Sequence, residues 1–508
     1  MAELLLGLDI GTSGVKVGVC DAEGHLLGLG RAAHGNDSPE PGWVECPAER
    51  WWEGVVVSLR QACDGAGVGP EAVGAVGVSV LFPCIVPLDA EGRGLYPAQL
   101  YSDRRSFAQV EAIERAIPRD AYEATIGNVL IPGTCAVTSL AWLRDEEPDV
   151  YRQAHCFGFS NTAITARLTG EFATDPAQVA LSGLVDIRDP WRWNGELCEA
   201  LGIDASRLPR VAGAAEVVGQ VTRAAAEETG LRPGIPVVCG TGDVPCSAVG
   251  VGATASDTVV YVAGSTDCVA VPIGQPTPNL RWVNASHVPR GLWLAIGSAT
   301  SSGVSVEWFV RELLDSSGSE GLRELTALAE GSRLGSGGVV YLPYLQGERT
   351  PIWDPKARGC FFGLSSTTTR GDLARAVLEG TAFGLKHIID SLEEVAGGPV
   401  GEILTVGGGT KNPLWNQIKA DVVGKPLAVL EFQETSSLGA ALLGGLGAGL
   451  YGSFEETVAV ARGANSARVV APDGARTAQY AELLDVFTAL YPATKALAHR
   501  LAQPRGET

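Results

Sequence analysis

No CxxC pair occurs in the chain, although it carries eleven cysteines, and its six histidines never join them at metal-ligand spacing. Reduced thiols in a cytoplasmic protein fit that pattern best. No basic segment followed by an apolar core and a cleavage site opens the sequence, and no apolar stretch reaches the ~18 residues that span a bilayer. The expectation is a cytoplasmic protein without a membrane partner. A GxxxxGK[ST] is missing, which excludes a P-loop, and a GxSxG is missing, which removes the simplest serine-hydrolase reading. Positive charge is scarce: 38 Lys and Arg stand against 58 Asp and Glu, a formal net charge of −20. That balance argues against nonspecific binding of nucleic acid or anionic membranes, so any anionic ligand must be held by local donors.

What is present is length and glycine. The 508 residues exceed the roughly 250–300 at which a single core stops growing, so at least two domains are expected. The 65 glycines follow no strict period and imply many tight turns rather than disorder. The opening stretch, Leu4 to Val19, places two apolar runs around a short polar turn and reads as a β-hairpin whose first strand delivers Asp9 to the turn. Gly11 and Gly14 would allow positive φ and close approach of a ligand to backbone N–H groups; Thr12 and Ser13 add hydroxyls and Lys16 a point charge. Asp9 would repel a bare phosphate and makes sense chiefly if hydrated Mg²⁺ lies between them. A surface hairpin with an incidental aspartate is the alternative.

Further along, Glu49–Ala62 has helical spacing and Val73–Val80 reads as a strand buried on both faces. Regular structure must break at Leu81–Phe82–Pro83–Cys84 and resume at Ile85–Leu88. Asp103 stands at or before a helix that begins near Ser106, where it could simply cap that helix. Pro233–Asp243 reads as a short strand ending in the turn Gly240–Thr241–Gly242–Asp243, presenting a second carboxylate before a small-residue helix, Pro245–Gly252. Val259–Val271 then repeats the opening pattern of strand, Gly/Ser/Thr turn and strand. This echo, at about half the chain length, suggests two lobes of shared fold with a boundary near 250–257. Gly297–Gly303 enters a helix, Val339–Pro351 is a strand running into an irregular loop, and Leu404–Trp415 is a strand, glycine turn and helix start. Such a turn lets a flat ring lie on bare backbone, with helix-end N–H groups free for polar atoms. The GxGxxG at Gly447–Gly452 follows a helix rather than a strand and reads as a helix terminus. Thr477–Leu501 is helical.

Four separated glycine turns after strands, with isolated Asp9 and Asp243, resemble the FGGY carbohydrate kinases of the actin/hexokinase superfamily, and among them most the xylulokinases. The resemblance covers Leu6 to about Gly449. Its most specific parts are Gly359–Cys360–Phe361–Phe362–Gly363–Leu364 followed after seven residues by Asp372–Glu379, and Leu342–Pro351 with its Gly347–Glu348–Arg349–Thr350–Pro351. It implies an α/β fold of two actin-like (ribonuclease H-like) lobes with a cleft between them. Residues 1–252 would form the sugar-binding lobe with the catalytic base, 253–450 the nucleotide-binding lobe, and 451–508 a helical segment packing back. The implied cofactors are ATP and Mg²⁺, the implied partner a small sugar, and a homodimer is compatible.

By the same resemblance Asp243 is the catalytic base and Asp9 the Mg²⁺-facing carboxylate, acting through water. Thr12, Ser13 and Lys16 form the first phosphate loop and Gly264, Ser265 and Thr266 the second. Gly303 and Glu307 lie on the nucleotide side, Gly408, Gly409 and Asn412 at the adenosine, and Asp103 at the substrate hydroxyls. Two departures stand out. Leu81–Phe82–Pro83–Cys84 replaces a Gln-Met-His-Gly segment, which puts Phe82 and Pro83 at the sugar, and Ser139 replaces a usual lysine beside Trp142, Leu143, Asp145 and Glu146. The implied reaction is ATP-dependent phosphorylation of a ketopentose, D-xylulose or a related pentulose. The alternatives are a kinase for ribulose, glycerol or an uncommon ketose, or a non-catalytic nucleotide- and sugar-binding homologue.

Overall fold

The computed structural model describes residues 4–277 and 281–502. The opening apolar run becomes the strand Leu4–Ile10, buried along its whole length. A strand covered on both faces has no polar side to show, hence a continuous apolar run rather than an alternating one. It pairs antiparallel with Gly14–Cys20, setting Asp9 opposite Lys16, and Leu26–Ala33 adds a third antiparallel strand. On its other side Val73–Val80 lies parallel to it, reached through the helix Ala48–Ala66. The sheet order is Val217–Gln220, Pro236–Val238, Val73–Val80, Leu4–Ile10, Gly14–Cys20, Leu26–Ala33, with Thr241–Gly242 also paired to Val73–Val80.

Helices close on both faces of this sheet. Val15 touches Gly54 of the helix Ala48–Ala66, whereas Gly18, an odd number of residues on and so on the opposite face, meets Ser437 of the helix Thr435–Gly447. The strands approach these helices so closely that side chains are excluded at the crossings. A Cβ on Gly77 would lie 1.7 Å from the carbonyl oxygen of Ala440, and one on Gly30 would lie 1.8 Å from that of Ser58. Both glycines are there for approach, not for left-handed backbone.

The second sheet repeats the arrangement. Thr258–Ala263 and Asp267–Ile273 form an antiparallel hairpin with Ala263 opposite Asp267, and Glu402–Val406 lies parallel to its first strand. Leu427–Leu430 follows in parallel and Ala467–Val470 antiparallel, while Trp293–Ala299 lies beyond Asp267–Ile273. The internal echo of the sequence is thus a hairpin plus a parallel strand used twice. The long helix Arg370–Ala396 starts at a capping box in which Thr369 and Asp372 satisfy each other's backbone N–H.

Packing divides the chain into two compact units that are discontinuous in sequence. The first holds residues up to Thr254 with Ile273–Leu294 and Glu434–Asn465; the second holds Ala255–Pro272, Ala295–Gln433 and the chain from Ser466 on. This differs from unbroken divisions at 252/253 and 450/451. The physical reason lies in the helix Thr435–Gly447, whose small residues are what Gly7 and Gly77 of the first sheet can approach. The final stretch is divided too, with Phe454–Ala464 in the first unit and Gly474–Leu501 in the second. The Gly447–Gly452 run closes a helix, as its position after an apolar helical segment indicates. No helix among the described residues is long and apolar enough to cross a membrane, and no disulfide joins any of the eleven cysteines.

Gly77→Ala should cost about 2–3 kcal/mol, because the added methyl meets a backbone carbonyl that cannot rotate away. The urea midpoint measures it; Gly35→Ala, whose Cβ position is open, should leave the midpoint in place.

Candidate active site

Three strands bring three polar residues abreast. Pairing sets Ser79 beside Asp9 and Thr241 beside Ser79. Ser79 Oγ donates to Asp9 Oδ1 at 2.9 Å, and Thr241 Oγ1 donates to Asp175 Oδ2 at 2.6 Å. Asp175 also accepts from Ala177 N at 2.9 Å and from Asn161 Nδ2 at 3.2 Å. Burial pushes Asp9 up to about 6 against the opposing pull of Lys16, and Asp175 likewise to about 6 against its hydrogen bonds.

Beyond Thr241 the chain turns at once into the helix Asp243–Gly250, so Asp243 is the first helical residue. The helix expected over Pro245–Gly252 thus begins two residues earlier and ends at Gly250. Asp243 Oδ1 accepts from Val244 N at 2.7 Å. Burial first, and the Asp9 carboxylate second, push Asp243 up to about 7. It is therefore poised to take a proton near neutrality. The ring of Phe82 rests on the backbone just before it: a Cβ on Gly242 would lie 2.5 Å from Phe82 Cδ1. Pro83, buried, continues from Phe82 into the strand Cys84–Leu88.

Asp103 is not a helix cap. The helix Phe107–Ala116 has Ser106 at its N-cap, and Asp103 is instead 1% exposed and fully engaged. Its carboxylate accepts from Val44 N at 2.6 Å and from Arg105 N, Nε and Nη2 at 2.9, 3.0 and 2.8 Å. These bonds use the roughly four acceptor positions a carboxylate offers. Arg105 also donates to Glu45 Oε2 at 2.6 Å, and its guanidinium carbon lies 3.7 Å from the ring centre of Trp43.

In the first turn Gly11 N donates to Gly14 O at 2.9 Å, leaving Thr12 partly exposed and Ser13 exposed. Neither glycine adopts the left-handed region expected for them. Gly14 is needed for space, since a Cβ there would lie 2.8 Å from Ala32 O. Lys16 is ion-paired to Glu434 Oε2 at 2.8 Å, and Glu434 Oε1 takes Arg31 at 2.6 Å. Burial would raise Glu434, but these two cations hold it below the usual range. Glu434 has no local sequence signal: it lies far along the chain and joins the turn only through packing. Ser79 did leave one, as the single hydroxyl in a run of Val, Ala and Gly. His34, whose N–H donates to Ser13 O at 3.1 Å, also went unread.

In the second unit the turn 264–266 and the start of the helix Ser302–Leu313 are laced together. Gly303 N donates to Gly264 O at 3.2 Å, Val304 N to Ser265 O at 3.0 Å, and Thr266 Oγ1 to Thr300 O at 3.2 Å. Gly303 must be glycine here, because a Cβ would lie 2.5 Å from Gly264 O. The glycine turn after Glu402–Val406 joins the same corner: a Cβ on Gly409 would lie 3.1 Å from Cβ of Ala263, the residue before Gly264. Gly408 is open on its Cβ side. Asn412 caps the helix Pro413–Val423, accepting from Trp415 N at 3.1 Å, and donates to Thr326 Oγ1 at 2.9 Å. The helix-end N–H groups expected to be free are thus partly used. Glu307 is exposed on its helix.

No group of three or more His, Cys, Asp or Glu suited to a metal occurs among the described residues. Magnesium still fits, because it keeps several waters and needs only one or two carboxylates beside phosphate oxygens. Asp9 Oδ2 lies outside the Ser79 bond and is the oxygen suited to such a hydrated ion.

Comparison with known proteins gives matches along the chain. Residues 4–250 match the N-terminal domain model of the FGGY family of carbohydrate kinases, and residues 259–448 match its C-terminal domain model. The xylulose kinase of Staphylococcus xylosus is 28% identical over 492 residues, covering 96% of this chain and 99% of its own. The glycerol kinase of Thermococcus gammatolerans is 30% identical over 465 residues, covering 90% and 91%. The crystal structure of xylulose kinase from Rhodospirillum rubrum superposes with a TM-score of 0.89 at 28% identity, covering 98% of this chain and 100% of that one.

Asp103→Asn should destabilise the fold by about 3 kcal/mol, since it removes one partner from a guanidinium that is 1% exposed. Chemical denaturation measures this, and Arg119→Met, whose side chain is 43% exposed, should cost far less.

Proposed function

Because this chain belongs to the FGGY family of carbohydrate kinases, with its two-domain actin-like fold, and is a sugar kinase using ATP as phosphate donor, we propose that its acceptor is a ketopentose, D-xylulose or a related pentulose. The phosphoryl-transfer part of the reading is carried by Asp243, a carboxylate whose pKa is raised to about 7 by burial and by a second carboxylate, Asp9; the pentulose is supported by the likeness to xylulose kinases. A sugar hydroxyl must lose its proton as it attacks the γ-phosphate, and Asp243 accepts that proton when it stands within ~3 Å. Asp9, whose Oδ2 is outside the Ser79 bond, is the residue that would hold hydrated Mg²⁺. When bound, the ion neutralises charge on the phosphate oxygens.

Thr12 and Ser13 present hydroxyls to the phosphates, and Lys16, tied to Glu434, contributes its field from a fixed place rather than as a free point charge. Gly264, Ser265 and Thr266 form the second phosphate turn, with Gly303 beneath it and Glu307 on the nucleotide side. Gly408, Gly409 and Asn412 take the adenosine. Asp103 enters as the brace of Arg105 rather than as a direct ligand of sugar hydroxyls. Phe82 and Pro83 offer the acceptor an apolar face. A homodimer and a cytoplasmic location belong to the same reading; a single-subunit mass in sedimentation would count against the first.

A second reading is favoured by Phe82, whose ring cannot replace hydrogen-bond donors: the acceptor is then ribulose, glycerol or an uncommon ketose. A panel of sugars and polyols with coupled ADP detection decides between them, and no ADP release with any acceptor despite ATP binding would leave a non-catalytic binder.

Two outcomes are expected of Asp243. Asp243→Ala should lose at least about a hundredfold in kcat, the typical share of a general base; near wild-type turnover would remove it from that role. The base must be ionised to act and its pKa is raised to about 7, so kcat/KM for the sugar should fall as pH drops through 7. At pH 6 about a tenth of the molecules would carry an ionised base.

A further inference from the structure

The loop after the strand Val340–Leu342 carries a carboxylate that the reaction as described leaves idle. Glu348 is 5% exposed. Its Oε1 accepts from Thr300 N and from Arg349 N, each at 2.7 Å. Its own backbone is clamped to Asp354 by two hydrogen bonds, Glu348 N to Asp354 O at 2.9 Å and the reverse at 2.8 Å. Asp354 in turn is gripped by the last helix, where Tyr491 Oη and His499 Nε2 donate to Oδ2. The other end of this support is the second phosphate turn, since Thr300 O accepts from Thr266 Oγ1. Thr300 therefore sits between a buried carboxylate on its N–H and a phosphate-turn hydroxyl on its C=O. A buried carboxylate is an expensive means of holding two N–H groups unless its charge has a task.

We propose that Glu348 is a positioning residue for the phosphate donor: its ionised carboxylate fixes Thr300, and through the bond that Thr300 O accepts from Thr266 Oγ1 it holds the turn 264–266 in the conformation that meets phosphate. The inference rests on the reading of residues 264–266 as a phosphate turn. Glu348 touches neither nucleotide nor sugar; it acts through one residue, Thr300, held at its N–H and at its C=O.

Burial pushes Glu348 up to about 7, with the two N–H groups and Arg349 pulling the other way. The charged and titratable groups around it are Arg349 beside it, Tyr344 before it, Asp354 across the backbone bridge, and on the last helix Tyr491, Lys495 and His499, which converge on Asp354. Asp354 is held near 2, where burial loses to the Tyr491 and His499 hydrogen bonds, and it stays ionised throughout the neutral range. A folded pKa raised to about 7 means that Glu348 is ionised above that pH and neutral below it, so the hold on Thr300 is full at higher pH and weakens as pH falls.

The test is the affinity of the full chain for a non-hydrolysable ATP analogue with magnesium, measured by calorimetry at about pH 6 and about pH 8, for wild type, Glu348→Gln and Thr266→Val, each checked for an unchanged melting temperature. At the higher pH Glu348→Gln should bind roughly three- to tenfold more weakly, the scale of losing one charge-assisted hydrogen bond, and at the lower pH it should converge on wild type. The analogue's own titration is common to all three proteins and cancels in the comparison. Equal affinity of Glu348→Gln and wild type at both pH values, with Thr266→Val weakened, would overturn the proposal alone. The same deficit at both pH values would also overturn it, by reducing Glu348 to a structural support. No loss in either variant would overturn the phosphate turn and the proposal with it.

Discussion

The proposed chemistry depends on carboxylates kept in low-dielectric surroundings without a buried cation to balance them. Asp9, Asp175 and Asp243 all stand above the usual carboxylate range, and in each the largest cause is loss of water. What makes this tolerable is neutral donors: the Ser79 hydroxyl on Asp9, the Thr241 hydroxyl on Asp175 and the Val244 N–H on Asp243. A lysine or arginine beside Asp243 would pull it down and remove its proposed use as a base near neutrality. Arg105 shows the opposite solution, a buried cation set on Asp103 and Glu45 and over two tryptophan rings, in a corner of the first unit where rigidity is what is gained.

The arrangement of donors is set by strand register. Asp9, Ser79 and Thr241 line up only because Leu4–Ile10, Val73–Val80 and Thr241–Gly242 are parallel and in step. A one-residue slip would turn Asp9 to the other face. Register in turn is fixed by helices that press onto glycines on both faces, so the close contacts at Gly7, Gly30 and Gly77 hold the acid cluster at a distance. In the second unit the turn 264–266 is laced to residues 300–304 by backbone donors, carbonyls and one hydroxyl, with the carboxylates of Asp267 and Glu348 beside it. A chain of net charge −20 has to bind anions in this way, because its field at long range repels them.

Much of this was legible in the residue order. The hairpin at Leu4–Cys20, the strand Val73–Val80 and the repeated hairpin at Thr258–Ile273 follow from apolar runs broken by glycine, because strand identity is a local property. The place of Asp103 was not. A lone aspartate before a helix is ambiguous between a cap and anything else, and its true partners, Val44 and Arg105, are decided by burial against Trp43 and Trp142. Glu434 and Glu348 were illegible for the same reason: each acts on a residue tens to hundreds of positions away. The unbroken domain boundaries differ from the packing because the small-residue helix Thr435–Gly447 carries no mark of which sheet it will cover; only its fit to Gly7 and Gly77 decides.

Acceptor choice in the proposed reaction turns on what Phe82 can and cannot do. Its ring lies against Gly242, next to the base, and offers neither a donor nor an acceptor. A sugar hydroxyl directed at that ring would lose water without replacement, at a cost of about 1–3 kcal/mol, or roughly 5- to 150-fold in discrimination. A C–H face set against the same ring would instead gain from apolar burial. Two epimers that differ at one carbon present these opposite faces, so one aromatic side chain is enough to separate them. The base and the metal-facing carboxylate are indifferent to that stereochemistry, since both act on the reacting hydroxyl and the phosphate. Chemistry and selectivity are thus carried by different residues, and the second can change while the first stays fixed.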